Sequence, residues 1–97
     1  MKEKIKEDMN GNMKNSVDWN LIGKIRRAPT MQEIFLLLAL GSSCASDVAL
    51  MLNLKRSSVS NYFSKLKKLG VIEPYTDLPN YQIYGLTEKG REIAKYV

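Results

Sequence analysis

Apolar and polar positions recur along this chain in rhythms that change abruptly, and the sharpest change falls between Ala45 and Ile72. Two short helical patterns meet there at the turn Asn53-Leu54-Lys55. In the second, Val59, Phe63 and Leu66 recur after four and then three residues, which stacks them on one face of a helix. Ser57, Ser58, Asn61, Ser64, Lys65 and Lys68 fall on the opposite face. The first pattern buries Val48, Ala49 and Leu52, with Leu54 of the turn beside them. Ser46 or Ser43 is placed to cap it, and Asp47 puts a carboxylate at the positive end of its dipole.

Upstream, residues 1–15 mix both charge signs with Asn and Gly and offer little to bury, which reads as a flexible tail. Trp19, Leu21, Ile22 and Ile25 predict a helix from Ser16 to Arg27, ended by Pro29. Thr30 and Glu33 then have the spacing of a capping box for a helix running to Leu40 and stopping at Gly41. Its IFLLLAL run is apolar on every side and so calls for cover from two directions. Ser42, Ser43 and Cys44 form a short connection extended enough to add to a small sheet.

Downstream, Gly70 ends the second helix of the pair, and Val71 to Tyr75 alternates as a strand. Turn residues fill Thr76 to Asn80, Tyr81 to Leu86 returns as a second strand, and Thr87 with Glu88 opens a last helix to Tyr96 with Ile93 inward. The expected fold is mostly α with a small β-hairpin, and neither a repeat nor a long linker divides it.

At 97 residues the chain is one small domain, able to bury ~60 to 65% of its unfolded surface. Its 44% hydrophobic content is ordinary for a globular protein. The formal charge is +5, and its distribution is uneven: Lys55, Arg56, Lys65, Lys67 and Lys68 lie in a stretch from 55 to 70 that holds no acidic residue. Positive charge also gathers in the first 28 residues, whereas 29–54 holds only Glu33 and Asp47. Cations concentrated on a helix whose outer face carries hydroxyls and amides suit a groove of hydrogen-bonding edges bordered by phosphates. The pattern therefore points to DNA recognition.

The same residues argue against other classes. Cys44 stands alone and fits a small core residue, histidine is absent, and no paired carboxylates or activated nucleophile stand in a recognisable setting, so neither a metal, a cofactor nor an enzyme is expected. A single unpaired cysteine, no apolar leader and no apolar run longer than Ile34 to Leu40 lead to the expectation of a reduced, cytoplasmic protein outside the membrane.

Three motifs carry a resemblance: Ser46-Asp47-Val48-Ala49, Leu54-Lys55-Arg56-Ser57-Ser58-Val59-Ser60 and Gly70-Val71-Ile72. Together they closely resemble the winged helix-turn-helix of the MarR-like and ArsR-like prokaryotic transcriptional regulators, and Gly85-Leu86-Thr87-Glu88-Lys89-Gly90 resembles the exit from the wing into the final helix. The likeness spans roughly residues 29–97, giving a three-helix core, a two-stranded wing and extra helices at both ends.

The resemblance implies that Ser57, Ser58, Ser60, Asn61, Tyr62 and Lys65 face the major groove of double-stranded DNA. It makes Lys55 and Arg56 phosphate contacts, with Lys67 and Lys68 as later ones. Asn61 stands out for base reading, because one amide donates and accepts at once and so matches adenine. Two departures matter. The wing tip, Thr76 to Asn80, has Asp77 and no Arg or Lys, which predicts a weak wing contribution, and no Cys pair or His cluster is present for metal gating.

Reading two successive groove faces calls for a twofold homodimer with recognition helices about 34 Å apart. The helix in 16–28, through Trp19, Ile22 and Ile25, is the expected interface together with the last helix. Winged helices also serve as protein-protein interaction modules of transcription or replication machinery, which is the alternative function. Trp19, Tyr75, Tyr81 and Tyr84 either pack the fold or line a small-molecule effector cavity.

Overall fold

A computed structural model describes residues 17–76 and 82–97. The tail expected at 1–15, most of the wing tip including Asp77, and Tyr81 lie outside the described residues. Five helices and one hairpin follow in the order α1 (Trp19–Arg26), α2 (Pro29–Leu40), α3 (Ala45–Leu52), α4 (Arg56–Lys68), β1 (Ile72–Pro74), β2 (Tyr84–Leu86) and α5 (Glu88–Ala94). The hairpin is antiparallel, with Ile72 opposite Leu86, Glu73 opposite Gly85 and Pro74 opposite Tyr84. Ser43 adds an isolated antiparallel bridge to Tyr84, so the connection after α2 does join the sheet.

Helix α1 starts at Trp19 rather than Ser16, because the Asp18 carboxylate accepts from the Leu21 amide at 3.1 Å and caps it. The expected capping box of α2 is absent: Ala28 is the N-cap, without a side-chain bond, and Pro29 begins the helix instead of ending the one before it. Proline's fixed φ and missing N–H fit the first helical position, which moves Thr30 inside the first turn. Neither Ser43 nor Ser46 caps α3; its N-cap is Cys44, again with no side-chain bond. Helix α5, by contrast, is capped as the sequence implies, with the Gly90 amide donating to the Thr87 hydroxyl oxygen at 3.0 Å.

The core runs through every helix. Ile34, Phe35 and Leu38 of α2 meet Val48, Val59, Phe63, Leu66, Val71, Ile72, Leu86 and Ile93, with Cys44 buried close by in sequence to α3. Burying each of the larger side chains contributes about 1.5 to 3 kcal/mol. Cover for α2 is less complete than its composition suggested: Leu36 and Leu37 are half-buried, Ala39 is exposed, and Leu40 is 87% exposed. The helix therefore has a core side and a partly wet side, with its apolar run ending at the surface.

Two positions turn the chain by left-handed backbone. Asn53 closes α3 at φ 57° and Gly70 closes the segment after α4 at φ 78°. Past Gly70 the chain is held from two directions. The Thr87 hydroxyl donates to the Gly70 carbonyl at 2.7 Å, and the Thr87 amide donates to the Val71 carbonyl at 3.0 Å. The first turn of α5 is thus fastened to the exit of α4.

Candidate nucleic-acid interface

Helices α3 and α4 share the most extensive packing between any two elements, joined by the Asn53 turn. Helix α4 begins at Arg56 because Lys55 is still extended, at φ −73° and ψ 140°. Val59, Phe63 and Leu66 are buried as the four-then-three spacing requires, which fixes the rotation of the helix about its axis. The opposite face is left to solvent: Lys55, Arg56, Ser57, Ser60, Asn61, Ser64, Lys65, Lys67 and Lys68 are all exposed. Ser58 and Tyr62 are half-buried, and Tyr62 packs against the core rim. Ser57 is not the helix cap, so its hydroxyl is available to an outside partner.

Electrostatically the face is one-signed. The ion pairs among the described residues are Lys89 with Asp18 at 3.7 Å and Lys95 with Glu92 at 3.5 Å. None of the five cations from Lys55 to Lys68 is neutralised there, and Lys65 is steered only by the Tyr62 ring, 5.5 Å from its centroid. Such a surface attracts phosphates and offers hydroxyl and amide groups between them. Lys24, Arg26 and Arg27 make a second exposed basic group at the end of α1.

The other predicted residues divide. Ile22 and Ile25 are 2% and 0% exposed within their own chain, so they have no surface to give to a second subunit. That part of the expected interface is corrected: α1 is amphipathic because it closes the core, and its period alone could not tell which partner covers it. Trp19 differs, at 62% exposed, and its ring meets Tyr96 edge-on at a centroid distance of 5.2 Å. The aromatics offered for an effector cavity are occupied separately: Trp19 by Tyr96, Tyr84 by Phe63, and Tyr75 by Gly85, whose added Cβ would fall 2.3 Å from the Tyr75 ring. A shallow depression of about 310 Å³ is lined instead by Pro29, Thr30, Gln32, Glu33 and Leu36.

Tyr84, offered in the sequence as one of several aromatics that pack the fold or line a cavity, joins the wing to α4. Its ring lies 5.0 Å from that of Phe63 on α4, and its alternation with Leu86 on β2 was the available signal. Among the described residues no helix is long and apolar enough to cross a membrane, and no three His, Cys, Asp or Glu side chains are grouped as a metal site.

Residues 28–73 match the profile of the bacterial regulatory protein, arsR family. Among curated proteins no sequence matches significantly. Solved structures do. Lactococcus lactis ZitR, in its C30AH42A mutant, is 27% identical with a TM-score of 0.64, over 70% of this chain and 48% of that one. The S. aureus MepR–DNA complex is 18% identical at a TM-score of 0.66, covering 78% and 65% of the two chains. The homodimeric winged helix-turn-helix domain of Mb0332 from Mycobacterium bovis is 21% identical at 0.63, covering 86% and 82%. The chain spans about half the length of the ZitR chain it matches. ZitR is described as a zinc-responsive MarR family member, and Mb0332 as a possible ArsR-family regulator. Helix pair, hairpin and profile agree: the chain has a winged helix-turn-helix fold, similar over residues 28–73 to the arsR family.

Proposed function

We propose that this protein is a sequence-specific, double-stranded-DNA-binding transcriptional regulator that lays α4 in the major groove. The observation that carries the reading is the unpaired basic and polar face of α4 opposite its buried Val59, Phe63 and Leu66. Lys55 and Arg56 hold phosphates at the start of the helix and Lys67 and Lys68 at its end, while Ser57, Ser58, Ser60, Asn61, Tyr62 and Lys65 face the base edges. Residues 29–97 are the DNA-binding unit. Residues 16–28 contribute to a homodimer through Trp19, whose pairing with Tyr96 makes one aromatic surface where α1 meets the residues after α5.

Titrating a duplex with the protein at increasing salt tests the reading. With about four phosphates neutralised per protomer, log affinity falls against log salt with a slope near −7 for a dimer. A slope near zero contradicts phosphate-led binding. The exposed apolar pair Leu50 and Met51, 83% and 57% exposed on the outer side of α3, favours a second reading in which the module docks another protein. That reading predicts little duplex binding even at low salt.

A further inference from the structure

The stretch between α4 and β1 is gripped from outside by one residue of α5's first turn. On its own side this exit is continuous with α4: the Leu69, Gly70 and Val71 amides donate back to the Lys65, Lys67 and Leu66 carbonyls at 3.0, 3.0 and 3.2 Å. Thr87, the N-cap of α5, adds two bonds, its hydroxyl donating to the Gly70 carbonyl at 2.7 Å and its amide to the Val71 carbonyl at 3.0 Å. The same hydroxyl oxygen accepts from the Gly90 amide at 3.0 Å. Gly90 brings its bare Cα against the Val71 carbonyl, which leaves α5 no slack toward the exit of α4. Elsewhere α5 is joined to the start of α1. Lys89 meets Asp18 at 3.7 Å, and Tyr96, just past the helix, meets Trp19.

Thr87 thereby links two parts of the molecule that serve one task. Helix α4 carries the basic reading face, and the Trp19–Tyr96 edge is where a second copy is expected. With 13 residues, α4 is ~20 Å long. A swing of about 10° at its exit carries the far end by ~3 Å, close to the ~3.4 Å step between base pairs. We propose that Thr87 is a positioning residue for DNA recognition: through Gly70 and Val71 it fixes the angle of α4 to α5, and with it the half-site spacing that a dimer accepts. The proposal rests on the DNA-binding homodimer reading above. A site of the wrong spacing strains the Thr87 bonds, so the worth of one net hydrogen bond, a factor of roughly 3 to 10, is the ceiling on the discrimination that the hydroxyl supplies.

The test uses the full chain, with wild type first selecting its half-site from a randomised library. Affinity is then measured for duplexes that hold one half-site, or two at spacings changed one base pair at a time. Wild type should favour one spacing over its neighbours. Thr87→Asp keeps the cap, since a carboxylate accepts from the Gly90 amide, but has no proton to give Gly70. Its affinity for a single half-site should match wild type, while its spacing preference weakens roughly 3- to 10-fold. Thr87→Ser keeps both bonds of the hydroxyl and should retain the wild-type preference. Thr87→Val loses the cap and the bond to Gly70 together and should weaken the preference as Thr87→Asp does, which carries the test if Thr87→Asp does not fold. A spacing preference unchanged in these variants, one lost equally in Thr87→Ser, or a single-half-site affinity that falls in step with it, overturns the role of Thr87. So does a wild-type protein that binds every spacing alike. A wild-type protein that binds no duplex is a different result, because it removes the DNA-binding reading itself and the proposal with it.

Discussion

Gly90→Ala should destabilise this protein, against the usual sign for an exchange inside a helix. Alanine in place of glycine in a helix interior normally gains about 1 kcal/mol. Here the new Cβ would lie 2.1 Å from the Val71 carbonyl oxygen and 3.0 Å from its carbon. Both are backbone atoms, so no rotamer relieves the clash. Helix α5 must retreat by about 1 Å, an overpacking cost of about 1 to 3 kcal/mol. The retreat also stretches the Thr87 bonds to Gly70 and Val71, which contribute about 1 kcal/mol each. Offset by the propensity gain, the net loss is about 2 to 4 kcal/mol, or a fall of roughly 10 to 30 °C in melting temperature for a domain this size. Urea and thermal unfolding followed by circular dichroism measure it. Gly41→Ala is the control, since nothing lies within 4 Å of a Cβ there. A Gly90→Ala protein as stable as wild type, or more so, would falsify the close approach of α5 to the exit of α4.

Four further outcomes follow from the same geometry. Exchanging Lys67 and Lys68 together for Gln should leave stability within about 0.5 kcal/mol and make the salt slope of dimer binding shallower by about 3 to 4, for two phosphates released per protomer; an unchanged slope takes these lysines off the phosphates. Asn61→Ala should fold normally and lose roughly 1 to 3 kcal/mol of discrimination at one base pair, so identical selected sites would remove Asn61 from base reading. Ile25→Ala should cost about 2 to 5 kcal/mol of stability whatever the oligomeric state. Trp19→Ala should cost about 1 kcal/mol yet shift sedimentation toward monomer, and a sedimentation profile unaffected by Trp19→Ala refutes its interface role.

How much of this was legible depends on whether a residue's role is local. Val59, Phe63 and Leu66 announced both α4 and its rotation, because period alone decides which side is inward once a core exists. Thr87 announced the start of α5 for a similarly local reason, a hydroxyl within reach of the amide three residues on. Thr30 and Glu33 had the spacing of a cap and failed, since Pro29 fits the first helical position and draws the helix start back past them. Ile22 and Ile25 were read correctly as a buried stripe, but whether a helix face is covered by its own chain or another is a tertiary fact. Gly90 stood in the motif resembling the wing exit, but the physical need for a bare Cα there was not readable, because it comes from Val71, nineteen residues away. Of the candidate site, the outward face of α4 was readable except at Ser58 and Tyr62, which are half-buried, whereas the grip of Tyr84 on Phe63, Ser43 and Gln82 joins segments that only folding brings together.

The edge contact between Trp19 and Tyr96 has an optical consequence. Trp19 is the only tryptophan in the chain and is 62% exposed. Its emission reports on one place, the meeting of α1 with the residues after α5. Light absorbed by Tyr96 at a centroid distance of 5.2 Å passes readily to the indole, so excitation at tyrosine and tryptophan wavelengths distinguishes a joined ring pair from a separated one. Anything that covers the indole moves its emission to shorter wavelength, and the unlabelled protein thereby carries its own gauge of whatever docks on this edge.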